Sequence, residues 1–190
     1  MENASRTIDT NATNETMTLH NIGLKYGTDK ATFHGYCPFY EQHLPAAPKR
    51  LLEIGVKDGA SLRMWREFYP EAEIVGIDIN PPIAIAGCTV LQMDATDTVA
   101  LATLGQFDVI IDDGSHLTSH QQIAFTQLYW VQLKPGGWYV MEDVHTSFWP
   151  QYMDTEVNTY EILKECFPKL LEWSRTPDLS DSVTMMIPKL

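Results

Sequence analysis

From Leu51 onward, short apolar runs alternate with stretches whose apolar residues recur at helical intervals. Leu51–Val56, Ile74–Ile79, Thr89–Gln92, Phe107–Ile111 and Trp138–Glu142 read as five strands, each a brief aliphatic-rich run closed by polar or turn residues. Ser61–Phe68 and Gln121–Gln132 read as helices between them. Lys134-Pro135-Gly136-Gly137 stops the second helix and launches the fifth strand, because proline cannot continue a helix and glycine frees the turn. A last helix is expected over Val157–Trp173 and one more strand over Ser182–Ile187. Strands that alternate with helices predict an α/β fold, a mostly parallel central sheet with right-handed crossovers and helices on both faces. With no internal repeat and no interdomain linker, residues 19–190 are expected to form a single domain.

Residues 1–18 are polar, rich in Thr and Asn and almost free of large apolar groups, and are expected to form a disordered leader. The leader has no apolar core of a secretory signal, so Asn3, Asn11 and Asn14, which fit the N-x-S/T pattern, read as accidents of composition. Cys37, Cys88 and Cys166 are odd in number and lack C-x-x-C spacing, which points to reduced thiols in a cytoplasmic setting, with neither a disulfide framework nor a zinc site. No run approaches the roughly 18 apolar residues of a membrane span, so no membrane partner is expected.

A chain of 190 residues that is 44% hydrophobic can bury its own core. Its 13 basic and 25 acidic residues leave a formal charge of −12, which argues against a phosphate backbone as partner and for a small ligand.

The chemistry lies where the strands end. IIDDGSH (Ile110–His116) and VMED (Val140–Asp143) are apolar runs that stop abruptly in carboxylates. In an open α/β sheet ligands bind at the carboxyl ends of strands, so Asp112, Asp113, His116, Glu142 and Asp143 are candidates for one cluster. Crowded carboxylates repel, and a divalent cation with a taste for hard oxygen ligands, such as magnesium, calcium or manganese, would relieve them. The first strand-to-helix turn, Glu53-Ile54-Gly55-Val56-Lys57-Asp58-Gly59, carries two glycines and leads into a helix N-terminus. Asp78 closes the second strand, where a carboxylate can accept from both ribose hydroxyls of a nucleoside cofactor, and Asp94 follows the third, on the adenine side.

In their order, EIGVKDGASLRMW, GIDIN, DDGSH and KPGGWYVMEDVHTSFW closely resemble the class I S-adenosylmethionine-dependent methyltransferases that act on sugar hydroxyls, the mycinamicin- and macrocin-type family. The cephalosporin-hydroxylase-like branch is more distant. KYGTDKATFHGYCPFYEQHL is similar to that group's entry segment, so the resemblance runs from about Leu24 to Trp149. It implies a Rossmann-like class I methyltransferase fold, S-adenosylmethionine as cofactor, a divalent cation such as Mg, and transfer of a methyl group to a sugar hydroxyl of a glycan or glycosylated natural product bearing vicinal hydroxyls.

Carried over by position, the resemblance implies that Glu53, Gly55 and Gly59 form the cofactor turn, that Asp78 binds ribose, and that Asp94 and Ala95 contact adenine. Asp112 falls on the cofactor side, and Tyr26, Thr28 and Asp29 sit where the entry segment closes over the methionine end. Asp113, Glu142 and Asp143 fall on the metal acids, unless Glu142 points to the far face of the sheet. His116 falls on the general base, acting with Asp113; His120, one turn on, is the alternative. Trp149, Phe148 and Tyr36 are candidates for an acceptor pocket, and His34, His43 and His145 for surface or supporting positions.

Three departures stand out. Lys57 replaces a common glycine, the auxiliary N-terminal domain of larger members has no counterpart, and the stretch after Asp143 looks too short for complete sixth and seventh strands. A shortened edge would expose backbone groups that a homodimer could cover. Two other classes stay open: a dinucleotide-dependent oxidoreductase or epimerase, which would use a G-x-G-x-x-G turn that this chain lacks, and a binding-only relic of the fold.

Overall fold

The computed structural model describes residues 17–81 and 84–190. The expected leader lies outside the described residues except for its last two, and Thr18 is already structural: its hydroxyl caps the first helix by accepting from the Asn21 N–H.

Three short helices, α1 (Leu19–Tyr26), α2 (Asp29–Thr32) and α3 (Cys37–His43), precede the sheet. Then come β1 (Arg50–Ile54), α4 (Ala60–Phe68), β2 (Glu73–Asp78), β3 (Thr89–Gln92), α5 (Thr98–Leu101), β4 (Phe107–Asp112) and α6 (Thr118–Gln127). A single wide turn of π-helical type, Leu128–Gln132, leads from α6 into β5 (Leu133–Met141); α7 (Thr159–Cys166), β6 (Leu171–Ser174) and β7 (Val183–Pro188) complete the chain. The seven strands form one sheet in the order β3-β2-β1-β4-β5-β7-β6. Its first five strands are parallel, while β7 runs antiparallel to both β5 and β6.

The apolar runs are explained by burial on both faces. Along β4, Val109 and Ile111 face a core built with Leu19, Tyr40, Met64 and Trp65, while Ile110 faces the opposite core with Phe125, Leu128 and Leu163. A strand covered on both faces has no polar side and so reads as a continuous apolar run.

The C-terminal part differs from expectation. The two strands expected to be shortened or absent are both present, and the stretch expected as one helix over Val157–Trp173 holds only the eight-residue α7 followed by β6. Pro168 supplies the reason: it disfavours helical geometry at the preceding residue, and Phe167 indeed sits at φ −125°, ψ 79°. The Lys134–Gly137 turn lies within β5, where the pairing with β4 shifts register between Phe107 and Val109. All three cysteines are free. Among the described residues no helix is long and apolar enough to cross a membrane.

Candidate active site

Strand order reverses direction between β1 and β4, and there a cleft of about 810 Å³ opens at the carboxyl ends of the strands. Among the residues singled out from the sequence, Asp29, Gly55, Lys57, Asp78, Asp94, Ala95, Asp112, Asp113, His116 and Asp143 line it, as do His34, His120, His145 and Trp149.

One end is built from the turn after β1. Gly55 sits at φ +87°, and any Cβ there would collide with the backbone carbonyl oxygen of Asp113, so only glycine lets the β1 and β4 turns approach this closely. Gly59, at φ +81°, precedes the first residue of α4 and stands against Ile85. Asp78 binds this turn directly. Its Oδ2 accepts from the N–H groups of Val56 (2.8 Å) and Lys57 (3.1 Å), and its Oδ1 accepts from Asn80 N–H (2.7 Å). Partial burial pulls this carboxyl up, but the three backbone donors outweigh it and hold the group below its ordinary range. Asp94 accepts from both the N–H and the hydroxyl of Thr96, each at 2.8 Å, and is likewise held low.

The other end holds the acids. Asp112 is buried and accepts from the Tyr139 hydroxyl at 2.8 Å; burial nevertheless pushes its carboxyl up to about 6. Glu53 and Glu142 are buried below the cleft floor. Between them lies a residue that the sequence did not single out: Lys30, fully buried, with Nζ 2.6 Å from Asp113 Oδ2, 2.9 Å from Glu142 Oε2 and 3.2 Å from Glu53 Oε1. Burial works against the charged ammonium, but the three carboxylates prevail and its pKa rises well above the ordinary lysine value. Burial likewise lifts Glu53 to about 7, against the pull of Lys30 and of the Ser61 hydroxyl 2.9 Å away. A fixed internal cation therefore relieves much of the repulsion that the sequence reading assigned to a bound ion. Breaking such a buried pair by removing one partner typically costs about 3–5 kcal/mol.

Asp113, His116 and Asp143 each offer a ligand atom, and the three atoms lie within 4.8 Å of one another. His116 Nε2 is 3.8 Å from Asp113 Oδ1 and 3.7 Å from Asp143 Oδ2. The two carboxylate oxygens suit a hard cation such as magnesium or manganese, with the His116 imidazole beside them. Both His116 (φ 60°) and Asp143 (φ 52°) adopt the left-handed backbone region, a strained arrangement for non-glycine residues that recurs where side chains are aimed for function. Glu142 stands apart from this trio: one oxygen is taken by Lys30, and Oε1 is buried without a hydrogen-bond partner.

Several expected contributors lie elsewhere. Tyr26 donates its hydroxyl to Glu67 at 2.6 Å and Thr28 is buried at the start of α2; neither lines the cleft, nor do Glu53, Gly59 and Glu142. Tyr36 is fully buried and donates to Asp143 Oδ1 at 2.6 Å. Phe148 does not line the cleft, whereas Trp149, Tyr152 and Phe33 do. His120, His34 and His145 do line the cleft: His120 pairs with the Ser115 hydroxyl at 2.9 Å, His34 stacks on Tyr36, and His145 accepts from the Val183 N–H at 3.3 Å.

A family described as "Methyltransferase domain" matches residues 52–144. L-olivosyl-oleandolide 3-O-methyltransferase of Streptomyces antibioticus is 35% identical over 157 residues, 74% of this chain and 40% of that protein. Mycinamicin VI 2''-O-methyltransferase of Micromonospora griseorubida is 35% identical over 151 residues, 70% of this chain and 38% of that protein. The chain thus spans well under half the length of these relatives. Among solved structures, the MycE methyltransferase of the mycinamycin biosynthetic pathway, in complex with Mg and SAH, superposes with a TM-score of 0.75 at 27% identity, covering 88% of this chain and 54% of that one.

Proposed function

We propose that this chain, which matches a methyltransferase-domain family over residues 52–144 and shares the fold of a solved methyltransferase, is an S-adenosylmethionine-dependent O-methyltransferase that modifies a sugar hydroxyl with the help of a divalent cation. One observation carries this reading: a single cleft joins a glycine turn tied to Asp78 at one end to the Asp113–His116–Asp143 cluster at the other.

Asp78 accepts from the ribose hydroxyls while anchoring the turn, and Asp94 and Ala95 flank the adenine. Asp29 and Asp112, both carboxylates on the cleft wall, serve the ammonium of the methionine end. The sulfonium methyl is already electrophilic, so the remaining task is to align an acceptor oxygen behind it and remove its proton. Asp113 and Asp143 would hold the cation, while Glu142, buried and paired with Lys30, stays outside the cleft. A cation there supplies Lewis acidity, which lowers the pKa of a neighbouring alcohol by several units. His116 takes the proton at Nε2, the nitrogen that faces both acids. Trp149 and Tyr152 offer ring faces on which a sugar stacks. Relatives whose names specify olivosyl and mycinamicin substrates support a sugar on a natural product as acceptor, and a pair of vicinal hydroxyls fits the paired acids.

The test uses labelled S-adenosylmethionine with glycosylated macrolides and the matching sugar-free aglycones. The expected result is label transfer to the glycosides alone, abolished by EDTA and restored by Mg, with cofactor binding surviving EDTA in calorimetry. Absence of cofactor binding, or transfer that persists in excess EDTA, refutes the proposal.

A further inference from the structure

The acids flanking His116 are each held by a donor from one short segment. Lys30 Nζ donates to Asp113 Oδ2 at 2.6 Å, and the Tyr36 hydroxyl donates to Asp143 Oδ1 at 2.6 Å. The oxygens left over, Asp113 Oδ1 and Asp143 Oδ2, are the two that face His116 Nε2, at 3.8 and 3.7 Å. The donors are not independent, because the Tyr36 N–H donates to the Lys30 carbonyl oxygen at 2.9 Å and braces both residues into one unit. The Tyr36 ring is itself fixed, stacked on His34 with ring centres 5.0 Å apart and met edge-on by Trp173 at 5.4 Å.

We propose that Lys30 and Tyr36 are positioning residues for the metal-binding acids: each clamps the outer oxygen of one carboxylate, so that the inner oxygens are presented, one from each acid, to a shared cation. This rests on the cation reading given above. A carboxylate free to turn must lose that freedom when an ion binds, and a donor on its second oxygen removes the cost beforehand. Charge balance alone accounts for Lys30, which sets one positive charge among three carboxylates. It does not account for Tyr36, a neutral group whose hydroxyl donates to Asp143. The phenol therefore distinguishes positioning from neutralisation.

The experiment titrates wild type, Tyr36→Phe and Lys30→Met with Mn²⁺ alone, counting free ion by its paramagnetic resonance signal. Thermal unfolding in EDTA and cofactor affinity by calorimetry run alongside. Tyr36→Phe, which keeps the ring, should raise the Mn²⁺ dissociation constant about tenfold, the lower end of the effect of removing an outer-sphere partner, with cofactor affinity unchanged. Lys30→Met also removes a positive charge beside the acids, which by itself tightens cation binding, so weaker Mn²⁺ binding in this variant supports the clamp and tighter binding assigns Lys30 to charge balance alone; if it does not fold, Tyr36→Phe decides alone. A purely structural Tyr36 would lower the unfolding temperature and leave Mn²⁺ affinity at the wild-type value, which overturns the inference. Wild type that binds no Mn²⁺ overturns the cation reading together with it, whereas wild type that binds and a Tyr36→Phe variant that binds equally well overturn the positioning role alone.

Discussion

Asp112→Asn should make this protein more stable and a poorer binder of its cofactor, and the size of the gain should depend on pH. Asp112 closes β4, is 4% exposed and accepts from the Tyr139 hydroxyl and the Gly114 backbone. Burial lifts its carboxyl from 3.8 in a solvated chain to about 6 in the folded one. Between those values the folded state holds more protons than the unfolded state, so this group's contribution to stability falls as pH rises from about 4 to about 6 and stays low above that. Two units at about 1.36 kcal/mol each set the cost of the ionised carboxylate at roughly 3 kcal/mol. Asparagine has the same shape, still accepts from Tyr139 and does not ionise. The variant should therefore match wild type near pH 4 and exceed it by about 2–3 kcal/mol at pH 8, a rise in melting temperature of several degrees for a chain of this length. Guanidinium unfolding in EDTA at pH 4, 6 and 8 measures the difference, and calorimetry with S-adenosylmethionine should show weaker binding. A stability difference that does not change between pH 4 and pH 8, or a variant less stable than wild type at pH 8, would refute the reasoning. A buried acid kept at such a cost on a cleft wall is what a binding role requires.

Asp78→Ala should raise the cofactor dissociation constant at least tenfold, because it removes charge-assisted acceptors worth about 1.5–3 kcal/mol each; calorimetry on the folded variant checks this, and an unchanged constant rules out the ribose role. His116→Ala should lower kcat by about 10²–10⁴-fold with cofactor affinity unchanged, whereas His120→Ala should cost far less, since its ring is engaged by Ser115. Full turnover in His116→Ala would place the base elsewhere.

Much of the fold was legible because local chemistry and tertiary context agree along the parallel strands. Leu51–Val56, Ile74–Ile79 and Phe107–Ile111 lie within a residue or two of β1, β2 and β4, since strands buried on both faces must be continuously apolar, and Thr89–Gln92 coincides with β3. The cleft was legible too, since acids that end apolar runs have few places to go but the carboxyl edge of the sheet, and Asp78, Asp112, Asp113 and Asp143 line it there. The strand expected over Ser182–Ile187 lies within a residue of β7, whereas β6 was hidden because it is only four residues long and half-buried throughout, a pattern with neither alternation nor an apolar run. What no local pattern could show is the role of the entry segment. Lys30 sits in the polar stretch Thr28–Thr32, where a lysine reads as a solvated surface charge, and Tyr36 reads as a candidate for an acceptor pocket, with nothing to tie it to Asp143. Only the docking of α2 against the ends of β1, β4 and β5 brings one ammonium within reach of Glu53, Asp113 and Glu142, partners as far as 112 positions away. Residue type and spacing along the chain determined which acids could gather. Which oxygen of each acid is left free to act was decided by long-range contacts, because a hydrogen bond depends on distance and direction in space and leaves no mark on the sequence between its partners.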